Sequence, residues 1–287
     1  MAKTNKNDIQ KGVGLHARRV IAYVVLIIIS FFCLFWFYIM FINATRSNGQ
    51  LQSGFTAIPS TNLLKNWNNL VHGTLPIWYG MFNSLIIAAC SAVLCTYFST
   101  MTAYAIHAYE FRMKRFIYPF ILMIMMIPTQ VTALGFIKLI TGMGLMDSFI
   151  PLIVPTIASP VVFFYMKQYM ESALPLSLIE AARIDGSGEF RTFNSIVLPL
   201  MKPAIATVCI INFITCLNNF FTPLFYSNGI QVLSVSIVQL PLRDNMYGVP
   251  WDLVSAMGWI ILLPIIIFVA VFEKQIMDGI MAGGVKA

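Results

Sequence analysis

The chain has 287 residues, of which 59% are hydrophobic and 10% charged, against about a quarter charged in ordinary soluble domains. So little polar surface cannot coat a globule in water, which excludes a water-soluble domain and makes a membrane protein the default. The formal charge of +7 does not argue for nucleic acid, because the cations are dispersed between apolar segments and do not gather on one basic, aromatic-interleaved helix.

A bilayer core about 30 Å thick needs roughly 20 apolar helical residues. Six stretches meet that need, near residues 20–42, 81–107, 116–141, 149–170, 203–225 and 252–273. The first is too long for a signal-peptide core, and no A-x-A-like site follows it. Residues 1–19 are therefore expected as a cytoplasmic segment, 20–42 as helix 1, 81–273 as a five-helix core and 274–287 as a cytoplasmic tail. Pro128, Pro151, Pro155, Pro160 and Pro264 lie inside the apolar runs, where membrane helices tolerate proline better than soluble ones do. The cysteines at 33, 90, 95, 209 and 216 sit singly, without CxxC or Cys/His spacing, and read as small buried hydrophobes.

Lys and Arg set the orientation. Placing the N-terminus in the cytoplasm puts 14 of the 18 Lys and Arg residues inside and only Arg46, Lys65 and Arg243 outside. Lys138, near the outer end of the third helix, can snorkel to the interface. Both termini are thus expected in the cytoplasm. The outer loop near residues 43–80 is long and amide-rich; it suits either an extracytoplasmic docking surface or an ordinary solvated loop.

Residues 171–203, ESALPLSLIEAARIDGSGEFRTFNSIVLPLMKP, are too polar to span and too patterned for a linker. Pro175 and a Ser177-x-x-Glu180 capping box are expected to open a short helix, with Gly186 closing it in the left-handed conformation. A second helix is expected from about Glu189, stopping before Pro199. The pattern resembles the EAA loop of ABC importer permeases: Glu180-Ala181-Ala182, Gly186, Ile196 and Leu198-Pro199, with every spacing kept. Ile184, Asp185, Phe193, Leu200 and Pro203 bring it nearest to the sugar-transporting branch, with Ser187 in place of the usual Ala. Asn83-Ser84-Leu85-Ile86, Ala103-Tyr104-Ala105 and Ile127-Pro128 extend the resemblance over most of the chain.

The resemblance implies an all-α membrane protein with six transmembrane helices in the type I importer permease fold. It also implies that Glu180, Ala181, Ala182, Asp185 and Gly186 form a coupling helix that docks on a cytoplasmic ATPase subunit. Gly283, Gly284 and Lys286 resemble the tail of the maltose-type permease, which reaches between two ATPase subunits. The implied partners are a second homologous permease, two ATPase subunits, an extracytoplasmic solute-binding protein and the bilayer, with no nucleic acid. The implied location is a bacterial cell membrane.

One departure bears on the solute. Where the family carries a Trp-Asn pair in the fifth helix, this chain has Leu217-Asn218-Asn219-Phe220. Candidate solute contacts must therefore come from the residues themselves. Asn212, Thr215, Asn218, Asn219 and Thr222 fall within an arc of about 120° on an otherwise apolar helix. A neutral, hydroxyl-rich solute such as an oligosaccharide or polyol needs amides, hydroxyls and aromatic faces, so Thr215, Asn218, Asn219 and Phe220 are candidates for the path. Helix-to-helix hydrogen bonding is the competing role for that face. No GxxxxGK[ST] phosphate loop is present, and His16, His72 and His107 lack metal or triad spacing. The chain is expected to be no enzyme and to hold no cofactor or metal, with ATP and Mg bound by partner subunits. An ion-coupled secondary transporter is the alternative, although it would need acidic residues deep in the spans.

Overall fold

The computed structural model describes residues 6–73, 75–226, 229–243 and 249–284, which are helical with short connections. Among them, five stretches are long and apolar enough to cross a membrane: His16–Ala44, Ile77–Ala108, Ile150–Ala173, Lys202–Phe225 and Trp251–Lys274. The first lies within α1 (Lys6–Ala44), which is exposed almost all round from Val20 to Trp36. Its C-terminal part packs against α15 (Trp251–Gly284). Phe41 packs edge-on to Trp259, with ring centroids 5.6 Å apart, and Met40 sits over Gly258, where a Cβ would meet its sulfur at 2.7 Å.

The outer loop carries its own structure, in α2 (Asn48–Gln52) and α3 (Leu63–Val71). Ser47 and Gln50 form a reciprocal capping box at the start of α2. Arg46, buried at 6% exposure, donates to the Gln50 and Gly54 carbonyls. Asn66 donates to the Ala44 and Arg46 carbonyls at 2.9 and 2.7 Å. Gln50, Asn62 and Asn66 of this loop are thus engaged in folding it, a structure the amide-rich sequence alone did not announce.

The centre of the molecule is α4 (Ile77–Ala108), which packs against α12 (Lys202–Asn218) and α8 (Pro160–Ala173). Ala88, Ala92, Cys95, Ser99 and Ala103 recur every three or four residues on its buried side. Small side chains let helix backbones approach closely, which is how membrane helices gain contact where hydrocarbon supplies no hydrophobic drive. At the start of α4, Asn83 donates to the Gln231 carbonyl at 2.9 Å, and the Ser84 hydroxyl accepts the Leu233 N–H at 2.9 Å. Both bonds fix the first turn of α14 (Leu233–Arg243).

Three of the expected spans are interrupted. The third is two helices, α5 (Lys114–Ile124) and α6 (Thr129–Gly142). Pro128 has no N–H to donate, and its ring would strike the carbonyl four residues back, so the chain turns there and restarts. The fourth is α7 (Ile150–Ile153), a 3₁₀ turn over Val154–Ile157, and α8, which Ser159 caps by accepting the Val162 N–H at 3.4 Å. The fifth ends α12 at Asn218 and resumes as α13 (Phe221–Tyr226). In a continuous helix Pro223 would collide with the Asn219 carbonyl. That carbonyl instead turns away and accepts the Ser234 hydroxyl at 2.8 Å. By contrast, α15 (Trp251–Gly284) runs unbroken through Pro264.

Candidate functional site

One end of the helical body carries residues 174–201. The first helix of this loop is α9 (Leu176–Ile184), capped by Pro175 with extended backbone and without a side-chain bond. The expected capping box does not form, because Ser177 falls inside the first turn, two residues past the cap position at Pro175. The end of α9 follows the expectation for Gly186. Its φ of +76° is left-handed, the Gly186 N–H reaches the Arg183 carbonyl at 3.0 Å, and the Ser187 N–H reaches the Ala182 carbonyl at 2.9 Å. This is the paired closure of a Schellman motif.

Ile179 and Ala182, at 1% and 5% exposure, turn inward to the core. The helical repeat then points Ser177, Glu180, Ala181 and Ile184 outward. Glu180, Ala181, Asp185 and Gly186 are exposed. Ile184 is 86% exposed and Phe190 70%, and these two large apolar side chains in open contact with solvent are the unusual feature of the loop. Sequence reading had passed over Phe190.

The second helix of the loop starts at Glu189, as α10 (Glu189–Thr192), but it does not stop before Pro199. It widens into a π turn over Phe193–Val197, continues as α11 (Leu198–Leu200) and leads into α12. The Leu198 N–H bonds to Phe193 five residues back. A wide turn of this kind accommodates Pro199, whose ring would otherwise meet the carbonyl of residue 195.

The Glu189 carboxylate joins this loop to α4. Tyr104, buried at 3% exposure, donates its hydroxyl to Oε2 at 3.2 Å, and the Tyr109 hydroxyl donates to the same oxygen. Arg183 Nε reaches Oε1 at 2.9 Å while its guanidinium lies 5.0 Å from the Tyr109 ring centre. The Tyr109 hydroxyl, with Arg183 adding to it, holds the Glu189 carboxyl below the usual carboxylate range despite partial burial. Nearby, the His107 ring and the Leu174 carbonyl lie 3.0 Å apart, and Tyr97 donates to Asn194 at 3.1 Å. Of these partners on α4 and its C-terminal end, the sequence singled out Tyr104, in the Ala103-Tyr104-Ala105 segment, and His107, as a histidine without metal or triad spacing, but not Tyr97 or Tyr109.

Towards the other end, the break after α12 borders a cavity of about 630 Å³. Thr215, Asn218, Asn219 and Phe220 all line it, as do Gln130, Thr132 and Phe136 of α6 and Thr156 of the 3₁₀ turn. Among the described residues no charged side chain lines it. The polar face of the fifth helix divides here. Asn212 donates to the Ser91 carbonyl of α4 at 3.4 Å, the helix-to-helix role, whereas Thr215 bonds within its own helix and faces the cavity. Asn219 holds the restart of α13, accepting the Thr222 N–H at 3.2 Å and donating to its hydroxyl at 2.9 Å. Amides, hydroxyls and aromatic faces around an uncharged space can hydrogen-bond and stack on a neutral polyhydroxylated solute.

Gly283 and Gly284 continue α15, while Lys286 lies outside the described residues. Among the described residues no group of three His, Cys, Asp or Glu side chains could hold a metal.

Comparison with known proteins gives consistent likenesses. Residues 98–278 match the family described as "Binding-protein-dependent transport system inner membrane component". The chain is 34% identical over 228 residues to the arabinooligosaccharides transport system permease protein AraQ of Bacillus subtilis (strain 168), covering 79% of this chain and 80% of that protein. It is 28% identical over 270 residues to the sn-glycerol-3-phosphate transport system permease protein UgpE of Yersinia pestis, covering 91% and 95%. In fold it matches a chain of a bacterial ABC transporter involved in the import of the acidic polysaccharide alginate. The TM-score is 0.75 at 20% identity, over 96% of this chain and 99% of that one.

Proposed function

We propose, since this chain belongs to the family of binding-protein-dependent transport system inner membrane components, that residues 174–201 are its docking loop for an ATPase subunit. The chain is a membrane permease subunit of a sugar ABC importer. This membership sets aside the ion-coupled alternative. In our reading the cavity at the α12–α13 break is half of the solute path, a second permease supplies the other half, and a solute-binding protein delivers the cargo at the end bearing α2 and α3. The solute is an uncharged oligosaccharide or related polyol. Two cytoplasmic ATPase subunits bind ATP and Mg and hydrolyse the nucleotide, both termini are cytoplasmic, and the broken third span completes six crossings.

The single observation that carries the docking role is the loop's outward face. Ile184 at 86% exposure and, in the same loop, Phe190 at 70% put apolar area in water that a partner would bury, at about 25 cal/mol per Å². Glu180 on the same face offers a charge for a basic partner, and the Schellman closure at Gly186 holds the face in shape. The test is co-purification of the assembled transporter. The parent is expected to bring down nucleotide-hydrolysing subunits, and Ile184→Asp to lose most of them. Retention of those subunits by Ile184→Asp at parental stoichiometry, or their absence from the parent, would overturn the docking role.

A further inference from the structure

The loop is attached to α4 in two different ways. One is apolar: Ile179 and Phe193, both at 2% exposure or less, sit in a core shared with Tyr104 and Val162. Apolar contact is non-directional and tolerates small slides. The other is polar: Tyr97 to Asn194 and His107 to the Leu174 carbonyl are single contacts between uncharged or main-chain oxygen acceptors and α4, whereas the Glu189 carboxylate gathers two tyrosine hydroxyls and one guanidinium from residues 104, 109 and 183. Hydrogen bonds to an ionised group are short and directional, so this attachment fixes register as well as proximity.

Its position is informative. Glu189 directly precedes the exposed Phe190, and its partner Arg183 directly precedes the exposed Ile184. A force applied at either side chain therefore reaches the carboxylate within one residue. From Tyr104 the line runs along α4, one 32-residue helix, to Ser84, which accepts the first N–H of α14. The next residue of α14, Ser234, holds the free carbonyl of Asn219 at the cavity wall. Each link in that line is a hydrogen bond or a continuous helix.

We propose that Glu189, clamped by Tyr104, Tyr109 and Arg183, is the positioning residue that makes the docking loop and α4 move as one body, and so carries the loop's motion to the cavity. This rests on the docking role proposed above.

The experiment uses the assembled complex in lipid nanodiscs, in a background with the five native cysteines replaced and Thr222→Cys at the cavity. The rate of labelling by a membrane-impermeant maleimide is read with and without MgATP plus vanadate. With the clamp intact, trapping is expected to change the rate at least about fivefold. In Glu189→Ala the change is expected to fall below about twofold while the ATPase subunits stay bound. The double variant Tyr104→Phe/Tyr109→Phe keeps both rings and removes only the hydroxyls, so it answers for any failure of Glu189→Ala to fold; it is expected to give the same loss.

A full nucleotide response in the double variant, with ATPase subunits bound, would overturn the proposal. A parent that carries its ATPase subunits but gives no response would overturn it too. Failure of the docking role itself looks different, because no ATPase subunits would then be found on the parent.

Discussion

Gly186 shows what one residue does here. Its φ is +76° and no heavy atom lies within 4 Å of where a Cβ would be, so space is free and the demand is purely conformational. A left-handed residue with a Cβ costs about 1–2 kcal/mol, and Asn pays least because its short amide can bond locally. Substitution at this position is therefore expected to follow Gly, then Asn, then Ala, then Val, with Val beyond the 2 kcal/mol end because it is β-branched. Limited proteolysis of the loop in the intact transporter should give that order of increasing cleavage. Equal cleavage of the Gly and Val forms would show that the left-handed turn does not hold the loop. The need for glycine was visible in the sequence from its place after a short helix. The Glu189 clamp was not, since Tyr104 stands 85 residues away and no local period links the two.

Elements read from hydropathy divide by their prolines. The first and last long helices, α1 and α15, contain their expected apolar runs without interruption, whereas the third, fourth and fifth spans break. All of the prolines were visible. Taking proline tolerance as continuity was the error, because tolerance depends on who takes up the freed carbonyl. At Pro264 the helix absorbs it. At Pro223 the Asn219 carbonyl finds Ser234, 15 residues further along the chain, and the helix opens.

A helix broken at membrane depth leaves polar backbone that only a neighbour or a water-lined cavity can satisfy, and this is how the fold places a polar cavity among apolar spans. Pro223→Ala removes the ring and supplies an N–H within reach of the Asn219 carbonyl. Hydrogen exchange is expected to show amides 219–223 more protected than in the parent, as α12 and α13 merge. Unchanged exchange there would mean that the Asn219–Thr222 and Ser234 bonds, not Pro223, make the break.

At the scale of the whole molecule, the docking role depends on which end faces which compartment. The end bearing the docking loop also carries Arg112, Lys114, Arg115, Arg183, Arg191 and Lys202, while Arg46 and Lys65 lie at the opposite end with α2 and α3. The fold separates the two groups by the length of α4, roughly 48 Å at 1.5 Å per residue, so the basic bias belongs to one face of a membrane and cannot be averaged away. Cytoplasmic loops carry the excess of Lys and Arg, which supports the proposal that the docking loop lies on the cytoplasmic side.

Single cysteines in a cysteine-free background decide the matter: Ser177→Cys on the outward face of α9 and Thr61→Cys in the outer loop, both at exposed positions. In intact cells an impermeant maleimide is expected to label Thr61→Cys and to spare Ser177→Cys until the membrane is opened. Labelling of Ser177→Cys in sealed cells would turn the molecule over, separating the loop from any nucleotide and from the ATPase partner proposed for the exposed Ile184 and Phe190.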